Sequence, residues 1–187
     1  LGFIEEAVTR KDMTSDREQC WIDGLAAYFE NPKADLKKRL RDYVRSLEDL
    51  AYDYPDDIEA QAFLLKQIYY NNGKGLAIPS HYAINLLADQ ILTTSPNHPA
   101  NHYQIHLWDR EDAERALTAA ANCGPAAPGI AHMWHMPSHI YSKLKRYEDA
   151  AWQQEASARV DHEHMIRFQI VPDQIHNFAH NLSLIHI

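Results

Sequence analysis

Turn-forming residues divide this chain into segments of helical length. Breaks rich in proline, glycine or asparagine occur at NPK, YPDD, SPNHP, CGPAAPG and VPDQ. The segments between them run for roughly 12 to 22 residues, which suits helices better than strands. In residues 34–54 the apolar side chains recur every three or four positions, as one buried helix face requires: Leu36, Leu40, Tyr43, Val44, Leu47, Leu50 and Ala51. The sequence therefore predicts an all-α fold.

Pairs of helical segments joined by short loops predict stacked antiparallel helical hairpins. The tetratricopeptide pattern W-x2-L-G-x2-Y…A-x3-F…P can be compared with the last full pair. Trp134, Tyr141 and Ala150 fall in its register. Three positions depart from it: Pro137, Gln154 and His162. We expect a tetratricopeptide-like α-solenoid of about four hairpins.

Four blocks of the sequence resemble a family of bacterial tetratricopeptide-repeat proteins. They are REQCWIDGLAAYF, YPDDIEAQAFLL, HPANHYQIHLWD and HMPSHIYSKLKRYEDA, and the family carries similar blocks in the same order. The motifs of the ANHYxIH and HMPSHIY type are the most specific part. The resemblance spans residues 5–181 and implies a helical-repeat fold. It implies no reaction, because the family has no settled activity.

The residues at the two ends of the sequence lead us to expect a fragment of a longer chain. The sequence opens at Leu1, without methionine and inside a helical pattern, so residues 1–14 are expected to be the N-terminal segment of a truncated chain. Residues 182–187, LSLIHI, correspond to one reading frame of a widely used transposase adapter and are expected to be adapter-derived. The helical-repeat domain would then be residues 15–181. The sequence does not distinguish among a cytoplasmic, a periplasmic and an exported protein.

Composition excludes several classes of function. A formal net charge of −8 with 45% hydrophobic residues describes a soluble protein without a basic face for nucleic acid. No apolar run reaches the roughly 18 residues of a membrane span. Cys20 and Cys123 lie too far apart for a zinc knuckle or a haem attachment motif. The sequence also lacks HExxH, GxSxG and a glycine-rich dinucleotide loop.

Histidines are confined to the later part of the chain and recur at chelating spacing. All 12 lie at position 81 or beyond. Three clusters would each share one helix face: His102 with His106, His132 with His135 and His139, and His176 with His180. Such imidazoles can hold Zn²⁺, Cu²⁺ or Fe²⁺ with a further ligand from another helix. The alternative is that each histidine is a half-buried aromatic bonded to a local carbonyl or carboxylate. We predict that the clusters converge from at least two helices.

Several residues near the histidine clusters are interpreted as having structural roles. Pro137 is expected either to kink its helix or to lie in the first turn. Asp109, Glu111 and Asp112 suit a helix N-terminus, where carboxylates offset the dipole, more than they suit a general base. His98 is interpreted as a cap or surface residue.

Two hypotheses for function follow. The leading one is a non-enzymatic binding or scaffold module, with a histidine-rich concave groove that receives a protein or peptide partner and is also a candidate surface for metal binding. The alternative is a metalloenzyme, hydrolytic or redox, in which the histidines hold an ion with an open coordination position. Metal content discriminates between them.

Overall fold

The described part of the chain is helical and contains no strand, which confirms the all-α class. In the computed structural model the described residues are 2–185, and at 176, 177, 184 and 185 the description covers the backbone alone. None of the helices in this range is both long and apolar enough to cross a bilayer. The helices are α1 (Gly2–Thr9), α2 (Asp16–Glu30), α3 (Leu36–Asp53), α4 (Ile58–Asn72), α5 (His81–Thr94), α6 (Ala100–Trp108), α7 (Leu117–Ala126), α8 (Ala131–Lys143), α9 (Tyr147–Phe168) and α10 (His176–Ile185).

Side-chain caps mark the starts of α2, α3 and α4, and those of α3 and α4 lie next to predicted breaks. Ser15 and Glu18 form a capping box: the Glu18 backbone N–H donates to Ser15 Oγ, and the Ser15 backbone N–H donates to the Glu18 carboxylate at 2.9 Å. Asp35 Oδ1 accepts from the backbone N–H of Lys38 at the start of α3. Asp57 caps α4 in the same way. Each cap gives a partner to backbone N–H groups that have none within the helix.

The chain divides into two compact units, residues 1–87 and residues 88–187. In the first unit α2 packs on α3, and α3 packs on α4. The buried face of α3 consists of Leu40, Tyr43, Leu47 and Leu50. These residues belong to the stripe that the helical period predicts, so the prediction for this helix is confirmed.

Helix α8 is the central element of the second unit, because it contacts α6, α7, α9 and α10. Helices α7 and α8 approach closely at Gly124 of α7 because this residue has no side chain. A Cβ at this position would overlap the indole of Trp134 on α8. Pro137 lies inside α8, which begins at Ala131, so the expectation that the helix starts near Pro137 is wrong. His132, His135 and His139 consequently share one helix.

Candidate metal centre

Six histidines from three helices of the second unit form one continuous series of ring contacts. Helix α8 contacts both α6 and α10, which brings the three clusters together. The distances between ring centroids are 4.6 Å for His102–His106, 4.9 Å for His102–His132, 5.7 Å for His132–His135, 4.8 Å for His135–His139 and 5.1 Å for His135–His180. The remaining histidine of the predicted clusters, His176, has a side chain that lies outside the described residues.

Three of these side chains form a tight group of possible ligands. One ligand atom each from His102, His106 and His132 lies within 4.8 Å of the other two. His102 Nε2 and His106 Nε2 are 2.9 Å apart. Because metal–nitrogen bonds measure about 2.0–2.1 Å, a single ion could contact all three nitrogens after small side-chain adjustments. The helical i, i+4 spacing supplies two of the nitrogens, and the packing of α8 on α6 supplies the third.

A second pair of imidazoles converges on α8. His135 Nε2 and His139 Nε2 are 3.0 Å apart. On the other side of the His135 ring, Nδ1 lies 3.0 Å from Gln154 Oε1 and 2.9 Å from Asn181 Oδ1. Both of these amide oxygens are acceptors, so Nδ1 carries the proton and donates it. His135 Nε2 therefore presents a lone pair toward His139.

The two amide groups are oriented by a buried hydrogen-bond network. Gln154 Nε2 donates to Ser138 Oγ, and Asn181 Nδ2 donates to Ser157 Oγ at 2.7 Å. Each serine hydroxyl donates its own proton to a backbone carbonyl of α8, at 2.8 Å from Ser138 and 2.7 Å from Ser157. The serine oxygens can therefore only accept from the amides, which turns both amide oxygens toward His135.

Burial holds these imidazoles in the neutral form. Burial lowers the pKa of His102 to about 3 and that of His106 to about 4, and the nearby histidines add to both shifts. Burial also lowers the pKa of His132, His135 and His139. A neutral imidazole has the free ring nitrogen that a metal ion requires.

Asp109 is a further candidate residue of the centre, although the sequence assigned it to a helix N-terminus. That assignment is wrong, because Asp109 caps the C-terminal end of α6. Its Oδ1 is buried and has no hydrogen-bond partner among the described residues. Burial lowers the pKa of His106 and His139, whereas the charge of Asp109 raises both, so the carboxylate acts on one histidine of α6 and one of α8. The signal that could have found it is the spacing of His102, His106 and Asp109, which share one helix face at i, i+4 and i+7.

Other potential ligands of the second unit have different roles. His98 Nδ1 accepts from the backbone N–H of Ala100, the first residue of α6, at 3.0 Å, although the N-cap residue of this helix is Pro99. His162 and His164 are exposed on α9. Burial raises the pKa of the Cys123 thiol to about 12, so this group stays protonated and is a poor metal ligand.

The first unit contains an aromatic cavity of about 540 Å³. Its lining residues are Trp21, Leu25, Tyr28, Phe29, Tyr43, Phe63, Lys66, Gln67 and Tyr70. Trp21 and Phe63 pack edge to face at 5.0 Å. This lining offers apolar contact area to a bound group and no cluster of metal-binding side chains.

Comparison of the chain with protein-family models, with curated proteins and with solved structures returned no match. The resemblance to bacterial tetratricopeptide-repeat proteins stays a prediction. Function is therefore inferred from the geometry of the histidine centre.

Proposed function

We propose that the second unit is a metal-binding helical module, with His102, His106 and His132 as the ligands of one divalent transition-metal ion. The observation that carries this proposal is the mutual spacing of their ligand atoms, which all lie within 4.8 Å of one another. Neutral imidazole nitrogens suit Zn²⁺, Cu²⁺ and Fe²⁺.

Metal analysis of protein purified without an affinity tag or chelator tests the proposal. We expect bound metal, or metal taken up from added Zn²⁺, Cu²⁺ or Fe²⁺, and we expect the ion held by these three histidines to be lost in His106→Ala. The matched control is His162→Ala, which removes an exposed histidine of α9 and should leave the metal in place. Circular dichroism establishes that both variants fold. Failure of the folded protein to bind any of the three metals would overturn the proposal.

The number of protein ligands favours a metalloenzyme as a second candidate function. Three protein ligands leave a coordination position for water or substrate, as in catalytic zinc sites, whereas structural zinc sites are closed by four. Zn²⁺ would support hydrolysis, and Cu²⁺ or Fe²⁺ would support redox chemistry. Screening the loaded protein against ester, phosphoester and peptide substrates tests this candidate. A genuine activity should disappear in His106→Ala and persist in His162→Ala.

The scaffold function is a third candidate and depends on the finer architecture. We propose that the helices form tetratricopeptide-like antiparallel hairpins. The packing of each helix from α6 to α10 on the next along the chain supports this proposal. The aromatic cavity of the first unit supports binding of a protein or peptide partner through an apolar anchor residue. Peptides selected by display should lose affinity for Trp21→Ala, in the cavity lining, and keep it for Trp152→Ala, an exposed tryptophan of α9. Equal loss in both variants would contradict a site in the cavity.

A further inference from the structure

We infer that the centre has a second metal position beside the first, formed by His135 and His139 of α8 and by Asp109 at the end of α6. The inference deepens the proposed function and rests on it, because the two positions share one cluster. Its ligands, however, are a different set of residues from His102, His106 and His132. The two sets can therefore be tested separately.

The first argument is the direction of the ring nitrogens of His135 and His139. Their Nε2 atoms face each other at 3.0 Å. The Nδ1–H of His135 is held by two amide oxygens, from Gln154 and Asn181. Metal-binding histidines commonly donate their other ring N–H to such a partner, which fixes the tautomer and the ring orientation. His135 has this arrangement already formed.

The second argument is the buried oxygen of Asp109. A carboxylate oxygen removed from water without a hydrogen-bond donor or cation is costly, and Asp109 Oδ1 has no hydrogen-bond partner in the described part of the chain. The carboxylate acts electrostatically on His106, a ligand of the first position, and on His139, a ligand of the second. The charge of this carboxylate thus acts on one ligand of each position, and cations at the two positions would offset it.

The third argument is the contact between the two ligand sets. The ring of His132, from the first set, stacks on that of His135, from the second, with centroids 5.7 Å apart. Metal ions in two-metal sites are typically about 3.5–4 Å apart, a separation that adjacent, stacked ligands permit. The exposed ring of His180 lies 5.1 Å from that of His135 and offers a further nitrogen from α10.

Equilibrium dialysis of the metal-free full chain against Co²⁺ tests the second position by counting ions per chain. We expect two ions in the wild type and in the control His162→Ala. His139→Ala and Asp109→Asn should each retain one ion, at the first position, and His102→Ala should retain one ion at the second. Asp109→Asn keeps the shape of the side chain, so it provides the test if His139→Ala fails to fold. Electron paramagnetic resonance of the Co²⁺ protein adds a readout, because ions joined by a carboxylate couple magnetically.

The outcomes separate the inference from the proposed function. If neither the wild type nor any variant binds Co²⁺, the proposed function and the second metal position are both wrong. One ion per chain that is lost in His102→Ala and unaffected by His139→Ala and Asp109→Asn would support the proposed function and overturn the second position. One ion that is lost in all three variants would show a single shared site and would also overturn the second position.

Discussion

His135 Nδ1 on α8 lies 2.9 Å from Asn181 Oδ1 on α10, a residue 46 positions later in the chain. A second acceptor, Gln154 Oε1 of α9, lies 3.0 Å from the same nitrogen. The protonated nitrogen of His135 is thus determined by residues of two neighbouring helices. The packing of α9 and α10 on α8 directs the lone pair of Nε2 toward His139 Nε2, 3.0 Å away, so the fold of the second unit determines the chemistry of its centre.

Replacing Gln154 by leucine should weaken metal binding without removing a ligand. Gln154→Leu deletes one of the two acceptors of the His135 N–H, and loss of such a partner lowers metal affinity by roughly 10–100-fold. We expect the lower end of that range, because Asn181 keeps the second acceptor. Titration against a competing chelator measures the effect.

The control for this substitution is Gln153→Leu. Gln153 is also buried on α9, but no described residue hydrogen-bonds to its Oε1. Gln153→Leu should therefore leave metal affinity unchanged. An equal loss of affinity in both variants would mean that the effect comes from the packing of α9 and not from His135.

Metal binding should raise the thermal stability of the protein. A ligand at 100 times its dissociation constant stabilises the folded state by about 2.7 kcal/mol. For a unit of about 100 residues this corresponds to a rise in melting temperature of roughly 10–20 °C. Differential scanning calorimetry with and without Zn²⁺ measures the rise. His106→Ala, which keeps only the ligands of the second position, should show a smaller rise, and a rise as large as that of the wild type would locate the bound metal elsewhere.

The metal-free protein should lose stability as the pH falls. Burial lowers the pKa of His102 from 6.5 to about 3 and that of His106 from 6.5 to about 4. The unfolded chain therefore takes up protons that the folded chain does not, so the contribution of these residues is present above pH 6.5 and is lost as the pH falls from about 6.5 toward 3. The neighbouring Asp109 acts on His106 in the opposite direction and moderates the loss.

Urea unfolding of the metal-free protein at a series of pH values measures this dependence. The double variant His102→Gln, His106→Gln removes two of the titrating groups, so its unfolding free energy should fall less steeply between about pH 6.5 and 4. Identical slopes for the two proteins would show that these imidazoles are not responsible.

Gly124→Ala should destabilise the second unit, although alanine is normally the better helix former. A Cβ at position 124 would overlap the Trp134 indole, and overpacking of this kind typically costs about 1–3 kcal/mol. The matched control is Gly129→Ala, because a Cβ there meets nothing within 4 Å. Urea unfolding should separate the two variants, and similar unfolding free energies would contradict the close α7–α8 contact.

Part of the candidate centre could be predicted from local spacing alone. His102 with His106, and His135 with His139, are i, i+4 pairs, and a regular helix places such residues side by side whatever surrounds it. The same reasoning, extended by one step to i+7, would have included Asp109. The sequence interpretation omitted it because its acidic neighbours suggested a helix start.

Helices and their buried faces could be predicted from local patterns, because helical period, proline breaks and capping residues act within a few positions of the chain. The stripe of α3 is an example. The contact of His132 on α8 with His102 on α6, and the hydrogen bonds of His135 to Gln154 and Asn181, became visible only in the folded chain. These contacts depend on how helices pack against one another, and packing is set by the joint fit of side chains far apart in sequence, which no local pattern records.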